Sequence, residues 1–295
     1  MAFLFPGQGS QTPGMLKDFY ETSPLARAAI DEATAILGED FLDTMFNGPD
    51  DALRDTRMAQ PALVTAGIAI AAHLKSLNIS PALCAGHSIG EIAALAVAEV
   101  FSPVDAIRIT QERARLMAEE SPEGTMAAVI GLAPDAIENA LPGGAEIANF
   151  NGPQQTIISG TIEGIEAAKD TLKEVGAKSV IPLNVSGPFH SSCMNAASEK
   201  FKHFLDDFTF TAPTCTFVSS VTGKEESDAD TIKQLLWKQL YSPVRWTETM
   251  ETIGAVDALE AGPGNVLQGI ARRIENAPSI SASSTLDDIA SIQTN

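Results

Sequence analysis

Gly86-His87-Ser88-Ile89-Gly90 follows the apolar run Pro81-Ala82-Leu83-Cys84-Ala85 and precedes Glu91-Ile92-Ala93-Ala94-Leu95-Ala96, a helix-forming run. A short strand, a G-x-S-x-G turn and a helix start, in that order, describe a nucleophile elbow. So sharp a turn leaves little room around its central residue. The flanking glycines let strand and helix backbones approach, and Ser88 is pushed out into a cleft. The first N–H groups of the new helix have no intrahelical partner and point to where an oxyanion would form. The plainer alternative is a glycine-bounded loop whose serine caps the helix. A strand before the turn and a helix after it favour the elbow, and with it an α/β fold with a mostly parallel sheet.

Upstream, Ala2-Phe3-Leu4-Phe5 reads as a short buried strand running into Pro6-Gly7-Gln8-Gly9-Ser10-Gln11, a loop too rich in glycine for regular structure. Loops that follow strands of an α/β sheet lie at its carboxyl edge, where ligands bind. A backbone N–H of this loop is a candidate second oxyanion donor; the alternative is a plain turn. The missing Lys-Ser/Thr ending excludes a phosphate-binding P-loop. Helices are expected over 23–37, 49–57 and 59–77, the last opening with Ala59-Gln60-Pro61-Ala62-Leu63. Another is expected over 103–120. At about 100° per residue, Ala106, Ile109, Leu116 and Met117 share one face with Arg113 in their midst, opposite Arg108 and Arg115. Arg113 therefore points inward and needs an anion. An internal carboxylate and a substrate carboxylate are equally open at this point.

Beyond Pro122-Glu123-Gly124 the texture changes. Strands are expected over 126–132, 145–150, 156–160 and 178–185, with helices over 134–141 and 162–175. That βαββαβ order is the ferredoxin-like unit. It predicts a small domain, residues 125–189, inserted in a large α/β catalytic domain made of residues 1–124 and 190–295. The insert ends at Ser186-Gly187-Pro188-Phe189-His190, where the chain crosses back, and the cleft between the two domains is the expected ligand site. Helices over 193–205, 229–240, 246–253 and 266–274 and strands over 215–219 and 256–260 complete the larger domain. The tail after Asn276 is polar, with one candidate edge strand at 279–282.

A serine hydroxyl needs a neighbouring base, and the chain has 4 histidines. His73 and His203 fall within helices and read as surface or helix-end residues. His87 directly precedes Ser88, so its side chain projects away from the serine's. His190, in a Gly-Pro loop at the predicted crossing, remains as the base. An α/β-hydrolase places its acid and then its histidine late in the chain; no histidine follows His203 here, which disfavours that fold.

At 295 residues, 44% hydrophobic and 19% charged, the chain is long enough for one large domain carrying a smaller one and has an ordinary globular balance. No apolar run reaches the roughly 18 residues that span a bilayer, and Met1-Ala2-Phe3-Leu4-Phe5 lacks the basic flank of a signal peptide. The reading is cytoplasmic. Cys84, Cys193 and Cys215 are odd in number and widely spaced, which suits neither a disulfide framework nor a metal (zinc) site. With Lys+Arg 19 against Asp+Glu 38, the net charge of −19 repels nucleic acid and anionic membranes at long range. An acidic partner would need a local basic patch. Lys178, Lys200, Lys202, Arg245, Arg272 and Arg273 are scattered candidates, and each reads as a solvated helix-end charge rather than as part of a docking face.

Phe5-Pro6-Gly7-Gln8-Gly9-Ser10-Gln11, Gln60-Pro61-Ala62, Gly86-His87-Ser88-Ile89-Gly90-Glu91, Arg113, Gly187-Pro188-Phe189-His190 and Glu260-Ala261-Gly262-Pro263 together closely resemble the malonyl-CoA:acyl carrier protein transacylase family. The match runs in order from Ala2 to about Ile274. What the resemblance implies is transfer of malonyl from coenzyme A to the phosphopantetheine thiol of acyl carrier protein through a serine ester, with no permanently bound cofactor. Ser88 would be the nucleophile and His190 the base, with the N–H groups of Gln8 and Ile89 as oxyanion donors and Arg113 on the malonyl carboxylate. The family's histidine partner is a backbone carbonyl, which falls to Gln239 here, while Gln60, His87, Phe189 and Asn151 would line the substrate pocket. At the position of Phe189, malonyl-selective polyketide acyltransferases carry phenylalanine and methylmalonyl-selective ones serine. The same Ser88 and His190 would also serve a free-standing polyketide acyltransferase, or a serine hydrolase using water as acceptor.

Overall fold

The structure, a computed structural model, describes residues 1–293. Its strands are β1 (Ala2–Phe5), β2 (Leu83–Gly86), β3 (Thr125–Ile130), β4 (Ala145–Gly152), β5 (Gln155–Gly160), β6 (Ser179–Pro182), β7 (Thr216–Ser219), β8 (Lys224–Glu225), β9 (Asp257–Glu260) and β10 (Ser279–Ala282). One sheet of six strands runs in the order β10-β9-β1-β2-β7-β8, parallel throughout except for β8, which turns back antiparallel along β7. A second sheet, β4-β5-β3-β6, is antiparallel.

Period-two alternation divides the parallel strands between two cores. Phe3 and Phe5 of β1, Cys84 of β2 and Phe217 of β7 face one side, under the helix Thr56–Ser76 and its neighbours. Leu4, Ala85 and Val218 face the other side, against Trp246, Met250 and Leu267. Helices thus cover both faces, as an interior parallel sheet requires. The helix Thr56–Ser76 is buried on nearly every side. Ala59, Ala62, Ala66, Gly67, Ala69 and Ala71 keep it narrow enough to lie beneath several others.

The βαββαβ segment folds as expected. Ala127, Val129 and Ile158 pack on Ile137, Ile165, Ala168 and Leu172 of its two helices. The opposite face of that sheet, with Met126, Ala128 and Ile157, joins the main core. Its edge strand β4 is stitched to the rest of the chain: Phe150 N–H donates to Val244 O at 2.8 Å, Val244 N–H to Ala148 O at 2.8 Å and Thr247 Oγ1 to Phe150 O at 3.0 Å.

Several boundaries differ from the sequence reading. The helix expected over 49–57 stops at Arg54, because Asp55 leaves helical geometry to cap the next helix through Arg57 N–H at 2.9 Å. The long helix therefore starts at Thr56, with Pro61 inside its second turn. The strand expected over 178–185 spans only Ser179–Pro182. Helices at Lys17–Thr22 and Glu39–Asn47 were not anticipated, although buried Phe41 and Met45 sit four residues apart between Gly38 and Gly48. The tail is not loose: after the edge strand β10 it forms the helix Leu286–Gln293, whose Ile289 is buried in the core. No helix among the described residues is long and apolar enough to cross a membrane.

Candidate active site

Two adjacent parallel strands end at the site. After β2 the chain turns through His87-Ser88-Ile89 into the helix Gly90–Val97, and after β1 the Pro6–Gln11 loop runs alongside. The approach is close enough to need glycine: a Cβ on Gly90 would lie 2.1 Å from Phe5 O, and one on Gly86 2.1 Å from Gly90 C. Ser88 takes φ 51°, and His190 takes φ 57°. Both residues thus sit on left-handed backbone, which is uncommon for non-glycine residues and concentrates at functional turns.

Ser88 Oγ lies 2.7 Å from His190 Nε2. On the far side of the ring, Nδ1 lies 2.8 Å from Gln239 O and 3.2 Å from Ser242 O. Carbonyl oxygens only accept, so Nδ1 carries the proton and Nε2 presents its lone pair to the serine hydroxyl. Burial, and after it the positive charge of Arg113, pulls the His190 pKa down to about 3. The imidazole is neutral at physiological pH and is a proton acceptor facing a hydroxyl, the arrangement that activates a serine. The backbone of His190 is pinned as well, its N–H donating to Leu240 O at 3.0 Å.

Arg113 is fully buried, while on the other helix face Arg108 is exposed and Arg115 half-buried, paired with Asp105, Glu112 and Glu119. No internal carboxylate pairs with Arg113 among the described residues, which sets aside the salt-bridge alternative. Its Nη1 donates to Gln60 Oε1 at 2.6 Å, and its Nη2 to Gln239 Oε1 at 2.8 Å and to Ser88 Oγ at 3.3 Å. Its Nε has no hydrogen-bond partner among the described residues. Burial without a counter-charge lowers its pKa to about 9, with buried Glu91 opposing the fall. A guanidinium held by neutral amides at the bottom of a cleft is a site for an anion.

The N–H groups of Gln8 and Ile89 donate to no protein acceptor among the described residues, and both residues line the cleft with Ser88. The cleft, about 580 Å³, also takes in Gln60, His87, Asn151 and Phe189. His87 points away from Ser88: its Nε2 lies 2.8 Å from Asn151 Oδ1, its ring meets Trp246 edge-on at 5.2 Å, and burial lowers its pKa. His203 is exposed. His73 lies in the last turn of the helix Thr56–Ser76, as a helix-end residue, half-buried with Nδ1 2.9 Å from Ser23 Oγ and its ring edge-on to Phe19. The cysteines are free, Cys84 of β2 and Cys215, just before β7, meeting with 3.7 Å between sulfurs.

Two supports escaped the sequence reading. The Gln239 side chain, besides holding Arg113, donates from Nε2 to Ser88 O at 3.2 Å, so one glutamine contacts His190, Arg113 and Ser88. Glu91 is wholly buried in the elbow helix and accepts from Ser219 Oγ at 3.2 Å, from Ser220 N–H at 2.9 Å and from Ser220 Oγ. Burial raises its pKa. A lone acid in the apolar run Ile92–Leu95 was the available signal.

The acyl transferase domain model matches residues 2–268. The chain belongs to the acyl transferase family. Among its relatives, the malonyl CoA-acyl carrier protein transacylase of Escherichia coli (strain K12) is 42% identical over 95% of this chain and 94% of that protein. The transacylase of Bacillus subtilis (strain 168) is 40% identical over 93% and 90%. Solved acyl transferases of the same fold include an acyl carrier protein S-malonyltransferase from Vibrio cholerae, at TM-score 0.94 and 37% identity over 99% of both chains. A malonyl-transacylase in complex with its type II PKS acyl-carrier protein superposes at TM-score 0.94, with 39% identity over 100% of this chain and 99% of that one.

Proposed function

We propose that this acyl transferase moves malonyl from coenzyme A to the phosphopantetheine thiol of acyl carrier protein, by way of a malonyl ester on Ser88. The observation that carries it is a single oxygen, Ser88 Oγ, held 2.7 Å from the neutral imidazole of His190 and 3.3 Å from a buried guanidinium with no counter-ion. Residues 1–124 and 190–295 supply the serine, histidine and arginine, and the inserted unit 125–189 supplies the facing wall.

Ser88 Oγ attacks the thioester carbonyl as His190 Nε2 takes its proton, and the oxyanion lies between the N–H groups of Gln8 and Ile89. Removing one such donor typically costs about 10²- to 10³-fold. The C–S bond then breaks and the imidazolium returns its proton to the departing coenzyme A sulfur. In the second half-reaction the carrier thiol gives its proton to His190 and attacks the ester, and Ser88 leaves with that proton restored. The Gln239 and Ser242 carbonyls hold the ring in one tautomer through both halves. Arg113 grips the free carboxylate of malonyl in a two-pronged contact that lysine cannot reproduce. Phe189, in the cleft wall beside His190, crowds an α-methyl branch and favours malonyl over methylmalonyl by about 1 to 3 kcal/mol.

Intact-mass spectrometry after exposure to malonyl-CoA tests the reading. The expected result is one malonyl adduct, lost in Ser88→Ala and passed to phosphopantetheinylated carrier faster than to water. An adduct that persists in Ser88→Ala, or rapid release of malonate without a carrier, would reject it.

A further inference from the structure

Although the chain carries 38 acidic against 19 basic residues, no Asp or Glu among the described residues lines the cleft that holds Ser88. Three cations do: Arg54, Arg113 and Arg273. Arg54 is engaged by Asp50 at 2.6 Å. Arg113 is buried beside Ser88. Arg273 is exposed and therefore stands at the solvent end. Its Nη1 donates to the neutral Gln155 Oε1 at 2.6 Å, and no carboxylate of the described residues lies within 4.0 Å of it. The wall beside it alternates in character: Val266, 43% exposed, with Ile270 and Ile157 are apolar, while Gln155 and Asn184 offer amides.

We propose that Arg273 anchors the phosphate at the end of the pantetheine arm, the one phosphate that coenzyme A and the loaded carrier share. This rests on the transferase reading above. The arm carries two amides and a gem-dimethyl group between its thiol and that phosphate, which suits a wall of mixed amide and aliphatic groups running outward from Ser88. The phosphate keeps its negative charge at any working pH, and a guanidinium meets it with paired N–H donors. Elsewhere the −19 chain repels such a group; the acid-free cleft is where it can settle. Because both half-reactions thread the same arm past the same residue, one anchor serves donor and acceptor alike.

The test compares wild type with Arg273→Ala and Arg273→Lys, measuring kcat and KM for Ser88 malonylation by malonyl-CoA, malonyl-4′-phosphopantetheine and malonyl-pantetheine. The expected result is a fall of roughly tenfold in the preference for the two phosphorylated donors over malonyl-pantetheine, as befits one exposed charge-assisted contact. The fall should lie in KM, be partly restored by lysine and shrink as salt rises. An equal loss with all three donors would make Arg273 merely structural, and no loss with any would remove it from recognition. A loss confined to malonyl-CoA would shift its ligand to the nucleotide phosphates, overturning the shared anchor. If wild type forms no malonyl-Ser88 from any donor, the transferase reading itself fails, which is a separate outcome.

Discussion

Replacing Arg113 by alanine should collapse the preference for malonyl over acetyl. In the free protein this guanidinium is wholly buried and satisfied only by the Gln60 and Gln239 amides and by Ser88 Oγ. Its pKa, lowered to about 9, marks how poorly a charge is accommodated there without an anion. On the proposed reading a malonyl carboxylate would supply that anion, and removing one partner from a buried, hydrogen-bonded ion pair costs about 3 to 5 kcal/mol. At about 1.4 kcal/mol per decade, that is on the order of 10²- to 10³-fold in kcat/KM for malonyl-CoA. Acetyl-CoA has no carboxylate to strand, so the malonyl-to-acetyl ratio should fall by at least that factor. The assay is acyl-enzyme formation from an equimolar mixture of the two thioesters, read by intact mass. An unchanged ratio, or an equal fall for both acyl groups, would refute the argument and return Arg113 to holding its two glutamines in place.

Gly90→Ala would put a Cβ 2.1 Å from Phe5 O, so backbone must move. We expect a loss of about 2–3 kcal/mol or more, seen as a lower Tm and slower malonylation, whereas Gly143→Ala, with nothing within 4 Å of its Cβ, changes neither; matching melting curves for the two would contradict the packing. His190 binds no proton in the folded protein down to about pH 3, whereas in the unfolded chain it titrates near 6.5. The unfolded state therefore holds the extra proton between these values, and stability falls as pH drops through that window, by about 1.4 kcal/mol per unit at most. Denaturant titrations of wild type and His190→Asn should show the steeper pH slope in wild type, and parallel slopes would deny the depressed pKa.

Local chemistry was legible in the sequence wherever one residue type can fill a geometry. The elbow could be read because only glycine permits the approach at positions 86 and 90, and the inward aim of Arg113 because helical periodicity set it among Ala106, Ile109, Leu116 and Met117. The ferredoxin-like unit followed from element order alone. What could not be read depends on contacts across the chain. That Gln239 serves at once through its carbonyl and its amide requires knowing that residues 88, 113 and 190 converge on it. Nor does any local pattern say that Asp55 would end one helix by capping another, or that Ile289 would bring a polar tail back to the core. Glu91 lies between these cases: its place beside an apolar run marks it as unusual, but its partners, Ser219 and Ser220, lie 128 and 129 residues further along the chain, at the end of β7.

The placement of Arg113 links acyl choice to the strength of the base. Arg113 and His190 each lie within 3.3 Å of Ser88 Oγ, so their nearest nitrogens are no more than about 6 Å apart. At an effective dielectric constant of about 20, two like unit charges at that separation repel by about 3 kcal/mol, near two pH units. That repulsion comes second to burial among the causes that suppress His190, and a carboxylate bound to Arg113 cancels most of it. On the proposed reading malonyl would thus arrive with the charge that restores the imidazole's affinity for the serine proton, while acetyl would meet a base still held down by Arg113. The neutral acyl group would be disfavoured twice, once in binding and once in activation. It follows that Arg113→Ala should not merely spare acetyl transfer but raise it, with the acid limb of its pH profile moving upward as His190 regains basicity.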